Sequence, residues 1–339
     1  MGTLSVYGIG NPLIDVLANV SDDELERLSL RKGTMQLIDD RTGSHILQSL
    51  GNREKSYASG GSCPNTMNTL AALGVPVALA GCIGNDELGS VYSRRLSEDR
   101  VMCDLTEIDG PTGTSLVLIS PDGERTMNTR LGVCPRFCAN AVSHELVAAA
   151  EMLHFTGYMW DTEAQKEALT AAVATAHRAH TTVVFDAADP MAVDRYRDDF
   201  RRLIRRDADV LLANREEARM LLEDNSLDAA QAAHELARWC SVAAIKDGAR
   251  GSSIAANGEV VSIAAETVDA VDTTGAGDNY AAGLLCGLLS GRRAAEAARL
   301  ASRVAARAVQ QRGAQFHGTA RSALNEHAMM QEKEYEYSS

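Results

Sequence analysis

The run Asp272-Thr-Thr-Gly-Ala-Gly-Asp278 concentrates groups that could do chemistry on an anion. Gly275, Ala276 and Gly277 carry too little side chain to shield the backbone, so the amides from Gly275 to Asp278 can approach a phosphate closely. The stretch that follows, Asn279-Tyr-Ala-Ala-Gly-Leu-Leu, reads as helix, and its positive end falls at the same place. An acid at the mouth of such a turn can exchange a proton while the anion is held. A helix N-terminus also favours the ionised carboxylate, which predicts weakened basicity at Asp278. Asn214 and Glu217 stand at i and i+3 where a strand passes into a helix, and so share one face. The same two residues satisfy an Asn-x-x-Glu capping box. Asp15 follows an apolar strand and a Pro turn, a place from which a carboxylate can accept hydrogen bonds from two adjacent hydroxyls.

These groups need a scaffold, and the chain alternates between short apolar runs and helical stretches. Residues 4–9, 77–83, 152–156, 182–186, 209–213 and 242–246 read as buried strands, most of them followed by Gly, Asn or Asp. Helical patterns occupy 65–73, 87–97, 163–179, 215–222, 227–240, 281–289 and 294–311. Such alternation predicts an α/β fold in three layers, with a mostly parallel sheet between helices. Two stretches break the rhythm. Residues 13–59 are mixed, and residues 112–131 hold two extended runs around Pro121-Asp122-Gly123, a hairpin signal. Together they predict a small β-rich lid of 13–59 and 106–139. Residues 1–12, 60–105 and 140–330 would form the large domain, and 331–339 a polar tail.

Composition excludes several classes. The 339 residues exceed one minimal domain, and 45% apolar with 23% charged residues is ordinary for a globular chain. A net charge of −13 disfavours a nucleic-acid or anionic-membrane surface. No apolar run reaches the length of a membrane span, and the start lacks the basic head and apolar core of a secretory signal. Seven scattered cysteines, of which only Cys134 and Cys138 are close, read as reduced thiols in a cytoplasmic protein.

The run at 272–278 matches the C-terminal signature of the ribokinase-like, or PfkB, carbohydrate and nucleoside kinases. Gly8-Ile-Gly-Asn-Pro-Leu-Ile-Asp15 resembles the first strand and turn of the adenosine-kinase branch. Gly60-Gly61-Ser-Cys-Pro-Asn65 resembles the Gly-Gly substrate loop, 84–89 the G-x-D-x-x-G run, and Asn214-Arg-Glu-Glu217 the N-x-x-E motif. Five motifs in this order cover nearly the whole chain, and each alone would be weak.

The resemblance implies an ATP-dependent kinase that transfers a γ-phosphoryl group to a primary hydroxyl, with Asp278 as base and Gly275, Ala276 and Gly277 as anion hole. It implies a sugar pocket of Asn11, Asp15, Gly60, Gly61 and Asn65, and magnesium organised by Asn214 and Glu217, often through water. Lid arginines of similar kinases reach the transferring phosphate; Arg125 matches that position better and Arg130 is the fallback. The nucleotide loop departs from the pattern. Where many relatives have Thr-x-Gly-x-x-Gly, this chain has Lys246-Asp-Gly248-Ala-Arg-Gly251, so Lys246, Gly248 and Gly251, with Asn214, Thr274, Gly275 and Gly277, are the expected nucleotide contacts. Asp272 and Thr274, with the loop 312–315, resemble a monovalent-cation site, which makes potassium a candidate beside ATP and Mg2+. GNPLID, the long 15–60 insert and ERTMNTRLG favour a nucleoside, adenosine first, over a free sugar of the ribokinase or fructokinase kind. Monomer and homodimer both remain open. Two other classes fit less well: a non-catalytic binding protein on the same fold, which the intact 275–278 run opposes, and a dinucleotide oxidoreductase, which Leu13 opposes by standing where a third glycine is required.

Overall fold

The computed structural model describes residues 4–316. The tail expected over 331–339, and residues 317–330 of the large-domain assignment, lie outside the described residues. Fourteen strands are present among the described residues: β1 Val6–Ile9, β2 Leu13–Asn19, β3 Met35–Leu37, β4 Ser56–Gly60, β5 Val77–Gly84, β6 Met102–Ile108, β7 Gly113–Ile119, β8 Arg125–Arg130, β9 Met152–Thr156, β10 Thr182–Asp186, β11 Val210–Asn214, β12 Val242–Lys246, β13 Ser252–Ala256 and β14 Glu259–Ile263.

Nine strands form one sheet in the order β14-β13-β12-β11-β10-β9-β1-β5-β6. From β12 to β6 every pair is parallel; β13 and β14 add an antiparallel hairpin at the edge. The parallel strands are apolar on both faces because both are covered. Alternate residues enter two cores. Leu153, Phe155, Phe185, Leu211 and Ile245 face one, with helices Glu163–Ala179 and Pro190–Arg206. Val6, Met152, Val184, Leu212 and Ala244 face the other, with helices Ser62–Ala72 and Ala276–Leu289. This is the expected three-layer α/β/α arrangement.

Asp186, Asn214 and Lys246 end three adjacent parallel strands, so three polar side chains reach one rim of the sheet side by side. Open parallel sheets hold their ligands at that rim.

A second sheet, in the order β3-β8-β7-β2-β4, is built from the two stretches that break the α/β rhythm. The 112–131 hairpin is present, closed by the Gly123 amide donating to the Ser120 carbonyl at 2.9 Å. The chain leaves the large sheet only after Ile108, since β6 pairs with β5 along 102–108, and it re-enters the large core at Val133. At that crossing Asp86 accepts from the Gly89 amide (2.8 Å) and the Thr112 amide (2.9 Å). The G-x-D-x-x-G run is therefore a clamp at the crossing between the two sheets.

Helix Ala276–Leu289 lies against helix Ala294–Ala308 through glycines. A Cβ on Gly283 would come within 2.6 Å of the Ala301 Cα, a backbone atom with little freedom to yield. We predict that Gly283→Val destabilises the protein by at least about 2 kcal/mol, read as a lowered denaturation midpoint. An unchanged midpoint would mean that the two helices are not packed this closely.

Candidate active site

The loop before helix Ala276–Leu289 is shaped by Gly275, whose φ of 72° places it in the left-handed region, with Ala314 packed where a side chain would stand. Asn279 secures this turn by donating to the carbonyls of Gly275 (2.8 Å) and Ala314 (3.0 Å). Of the amides expected to face an anion, that of Ala276 donates to the Thr273 carbonyl at 3.2 Å. Gly277 and Asp278 are second and third in the helix, positions whose amides have no partner inside the helix.

Asp278 is held from the opposite helix. Ser62 donates to its Oδ1 at 2.6 Å and Asn65 to its Oδ2 at 2.8 Å, while Thr66 donates to its backbone carbonyl at 3.2 Å. Burial pushes the carboxyl up to about 6, against the pull of those two hydrogen bonds; Asp186 adds to the rise and Lys246 opposes it. Burial thus acts on this carboxyl in the direction opposite to that of a helix N-terminus.

Lys246 lies beside the same turn. Its ammonium pairs with Asp186 Oδ2 at 2.8 Å, and a Cβ built on Gly277 would lie 3.4 Å from its Nζ. Burial works against that charge, but the carboxylates of Asp186 and Glu217 more than offset it, so the lysine sits above its ordinary range. Asn214 and Glu217 form the reciprocal capping box: Glu217 Oε2 accepts from the Asn214 amide at 2.7 Å, and Asn214 Oδ1 from the Glu217 amide at 2.8 Å. Burial raises the Glu217 carboxyl. A cleft of about 520 Å³ opens from here, lined by Asn214, Arg215, Arg219, Lys246, Gly248 and Arg250. Gly251 lies just beyond; its φ of 98° and the Ile263 carbonyl, which any Cβ would strike, leave room only for glycine.

From the smaller sheet, β8 delivers Arg125 to Asp272 Oδ2 at 2.7 Å and to Thr274 Oγ1 at 3.2 Å. The other lid arginine, Arg130, faces Asp40 instead. Asp272 also accepts from the amides of Thr274 (3.0 Å) and Gly313 (2.7 Å). Burial opposes its charge, but these hydrogen bonds and the guanidinium keep it below the usual carboxylate range. Asp15, on β2, lies over Gly60, where a Cβ would come within 2.7 Å of its Oδ1. Burial pushes it up to about 7, with Arg125 opposing and Asp272 adding to the rise. Gly61 has a φ of 101°, and a Cβ there would strike the Asn11 carbonyl, so no larger residue fits.

The family model described as pfkB family carbohydrate kinase matches residues 36–320. The chain belongs to that family. The solved adenosine kinase from Sinorhizobium meliloti is 34% identical, with a TM-score of 0.87 over 96% of this chain and 99% of that one. A probable sugar kinase from Rhizobium etli is 31% identical, with a TM-score of 0.88 over 97% and 99%. Guanosine-inosine kinase of Escherichia coli is 27% identical over 226 residues, 64% of this chain and 52% of that protein, so the chain spans about half the length of this curated relative. With the first two structures covered end to end, the fold is ribokinase-like.

Within this PfkB chain, Asp278, Gly275, Gly277, Thr274, Asp272, Arg125, Asn65 and Lys246 converge. Asn11 turns inward, donating to the Tyr158 carbonyl and accepting from Gln165, both at 3.2 Å. Asn65, expected in the sugar pocket, has its amide nitrogen on Asp278 and its oxygen on Gln315 (2.9 Å). Ser62 is a site residue that the motifs do not mark; its only signal is that it opens the helix directly after Gly60-Gly61. Trp160 packs against Phe200. The oxygens of Asn214 and Glu217 suit magnesium that keeps its waters, and among the described residues no cluster of three or more His, Cys, Asp or Glu could enclose a metal.

A carboxyl raised by burial is uncomfortable as an anion in the folded state. Relative to an unfolded value of 3.8, ionised Asp278 costs up to about 3 kcal/mol above pH 6, and nothing below pH 3.8. Asp278→Asn removes that cost and loses one hydrogen bond worth about 1 kcal/mol. The variant should therefore be more stable than the parent at pH 8 and lose that advantage by pH 4. Calorimetric melts across this range check it; equal stability at pH 8 would show that the carboxylate carries no desolvation cost.

Proposed function

We propose that this protein is an ATP-dependent kinase that phosphorylates the primary hydroxyl of a nucleoside, adenosine first. The carrying observation is a half-buried carboxylate, Asp278, fixed by Ser62 and Asn65 one residue from the amide of Gly277. In this reading Asp278 takes the hydroxyl proton as the new O–P bond forms. The bond from the γ-phosphorus to its bridging oxygen breaks, and ADP leaves with that electron pair. The amides of Gly277 and Asp278 and the helix dipole stabilise the charge on the moving group. Arg125 closes over the turn from the lid. Asn214 and Glu217 would hold magnesium, which would supply positive charge against the phosphates of the donor. Because the Arg125 guanidinium already occupies the side chains of Asp272 and Thr274, a potassium ion at that loop would rely on backbone carbonyls.

The nucleoside reading is supported by the likeness to the Sinorhizobium adenosine kinase over the full chain. Asp15, whose side chain has no hydrogen-bond partner among the described residues, suits a vicinal diol, which ribose of a nucleoside presents. A free sugar presents one too, and the Rhizobium protein named a probable sugar kinase supports that second reading.

A coupled assay of ADP release over adenosine, guanosine, inosine, cytidine, ribose and fructose should give the highest kcat/KM with adenosine. Asp278→Asn should lower kcat at least about 10²-fold with the preferred acceptor. Turnover with none of the six would remove the assignment, and preference for ribose or fructose would replace it with the sugar reading.

The base acts ionised, so kcat/KM should be flat above its pKa and fall below a midpoint near 6. The Ser62 hydrogen bond favours the ionised form. Ser62→Ala should therefore move the acid limb to higher pH. A limb that stays fixed would place the titrating group elsewhere.

A further inference from the structure

Lys246 departs from the Thr-x-Gly-x-x-Gly pattern that the sequence resemblance implies, and its surroundings give that lysine a purpose. It ends β12, in register with Asn214 of β11, so its side chain starts beside the expected magnesium-organising pair. The side chain lines the cleft and reaches the first turn of helix Ala276–Leu289, where Gly277 leaves space for the ammonium. Its ion partner, Asp186, is 4% exposed and Lys246 itself 17%, so this pair is far drier than a surface salt bridge. Asp186 is already supported by a second donor, the Ala188 amide at 3.0 Å. The ammonium has three donor protons, and among the described residues the only side-chain acceptor it meets at hydrogen-bond distance is Asp186.

We propose that Lys246 is a phosphoryl-binding residue that exchanges Asp186 for the terminal phosphoryl oxygens of the donor when the nucleotide binds. This rests on the kinase reading above. Asp186 serves as a placeholder anion: it keeps the buried ammonium charged and aimed at the Gly277 turn while no phosphate is there. A terminal phosphoryl group carries more negative charge than one carboxylate and meets the ammonium beside the free amides of the same turn, so the exchange favours the donor. A threonine at this place offers a hydroxyl and no charge. Lys246 is thus a cation built into the chain at the point where charge develops during transfer.

The proposal separates nucleotides by their third phosphate. Calorimetric titration with the non-hydrolysable analogue AMP-PNP and with ADP, both with excess Mg2+, reads it without turnover. Lys246→Met should weaken AMP-PNP at least about 10-fold and ADP less than about 3-fold, and Lys246→Arg should recover part of the loss. Asp186→Asn, which frees the ammonium from its resting partner, should bind AMP-PNP as tightly as the parent or more so. Because Lys246→Met leaves Asp186 buried without its partner, Lys246→Met/Asp186→Asn is measured beside it and should show the same selective loss. If that double variant binds AMP-PNP like the parent, or loses both nucleotides equally, Lys246 is only a counter-ion and the proposal falls. If the parent binds neither nucleotide, the kinase reading falls with it; parental binding together with an insensitive Lys246 overturns the lysine alone.

Discussion

Holding one half-buried carboxylate within reach of an anion-binding turn is the constraint around which this molecule is organised. Asp278 cannot be both shielded from much of the solvent and usefully ionised unless other groups meet its oxygens, and Ser62 and Asn65 do so from a different helix. Those donors are in turn fixed. Gly61 fits only as glycine at the start of their helix, and Gln315 holds the oxygen of Asn65 from the far end of the chain. Asn279 then ties the loop of Gly275 to Ala314 and accepts from Thr69 at 2.7 Å. Segments near residues 62, 278 and 315 are thereby locked into one polar network across the helices above the sheet. Such a buried network rigidifies the segments it joins, although Gln315 Oε1 has no hydrogen-bond partner among the described residues.

The two sheets divide the work. The parallel sheet brings Asp186, Asn214 and Lys246 to one rim through strand order alone, since their strands are neighbours and end together. The smaller sheet contributes Arg125 and Asp15 from β8 and β2. The Arg125–Asp272 pair joins the smaller sheet to the turn before helix Ala276–Leu289 across the site. Charges of both signs thus crowd a small volume, with Asp15, Asp186, Glu217, Asp272 and Asp278 balanced by Arg125 and Lys246. Burial raises Asp15, Glu217 and Asp278, so the resting site is short of positive charge and suited to a ligand that arrives with a metal ion.

Much of this is legible in the sequence because local rules and the global fold agree. The buried strands, the 113–130 hairpin and the Gly-Ala-Gly turn follow from apolar runs, turn residues and small side chains. The β13–β14 hairpin is also written there, in Asn257-Gly258, whose φ values of 51° and 78° suit a two-residue turn. Its signal is masked by the glycines at 248 and 251, which resemble a nucleotide loop and stand directly before these two strands. Roles set by contacts between distant segments are harder to read. Asn65 reads as a substrate ligand in its Gly-Gly loop, and its further bond to Asp278 follows only from the packing of two helices. Likewise, Lys246 reads as a nucleotide contact in the sequence, and only the structure shows that Gly277 makes room for its ammonium beside Asp186. The basicity of Asp278 cannot be judged from a helix N-terminus, because the larger influence is the burial supplied by residues far away in the chain.

Direct titration of the Asp278 carboxyl tests the central claim most sharply. Carbon-13 shifts of labelled aspartate, with the signal assigned by its loss in the Asn variant, follow that one group without any substrate or turnover. The account predicts a midpoint near 6. A midpoint at the ordinary aspartate value near 4 would contradict it, because the carboxylate would then be a solvated surface group with no special place beside the anion turn.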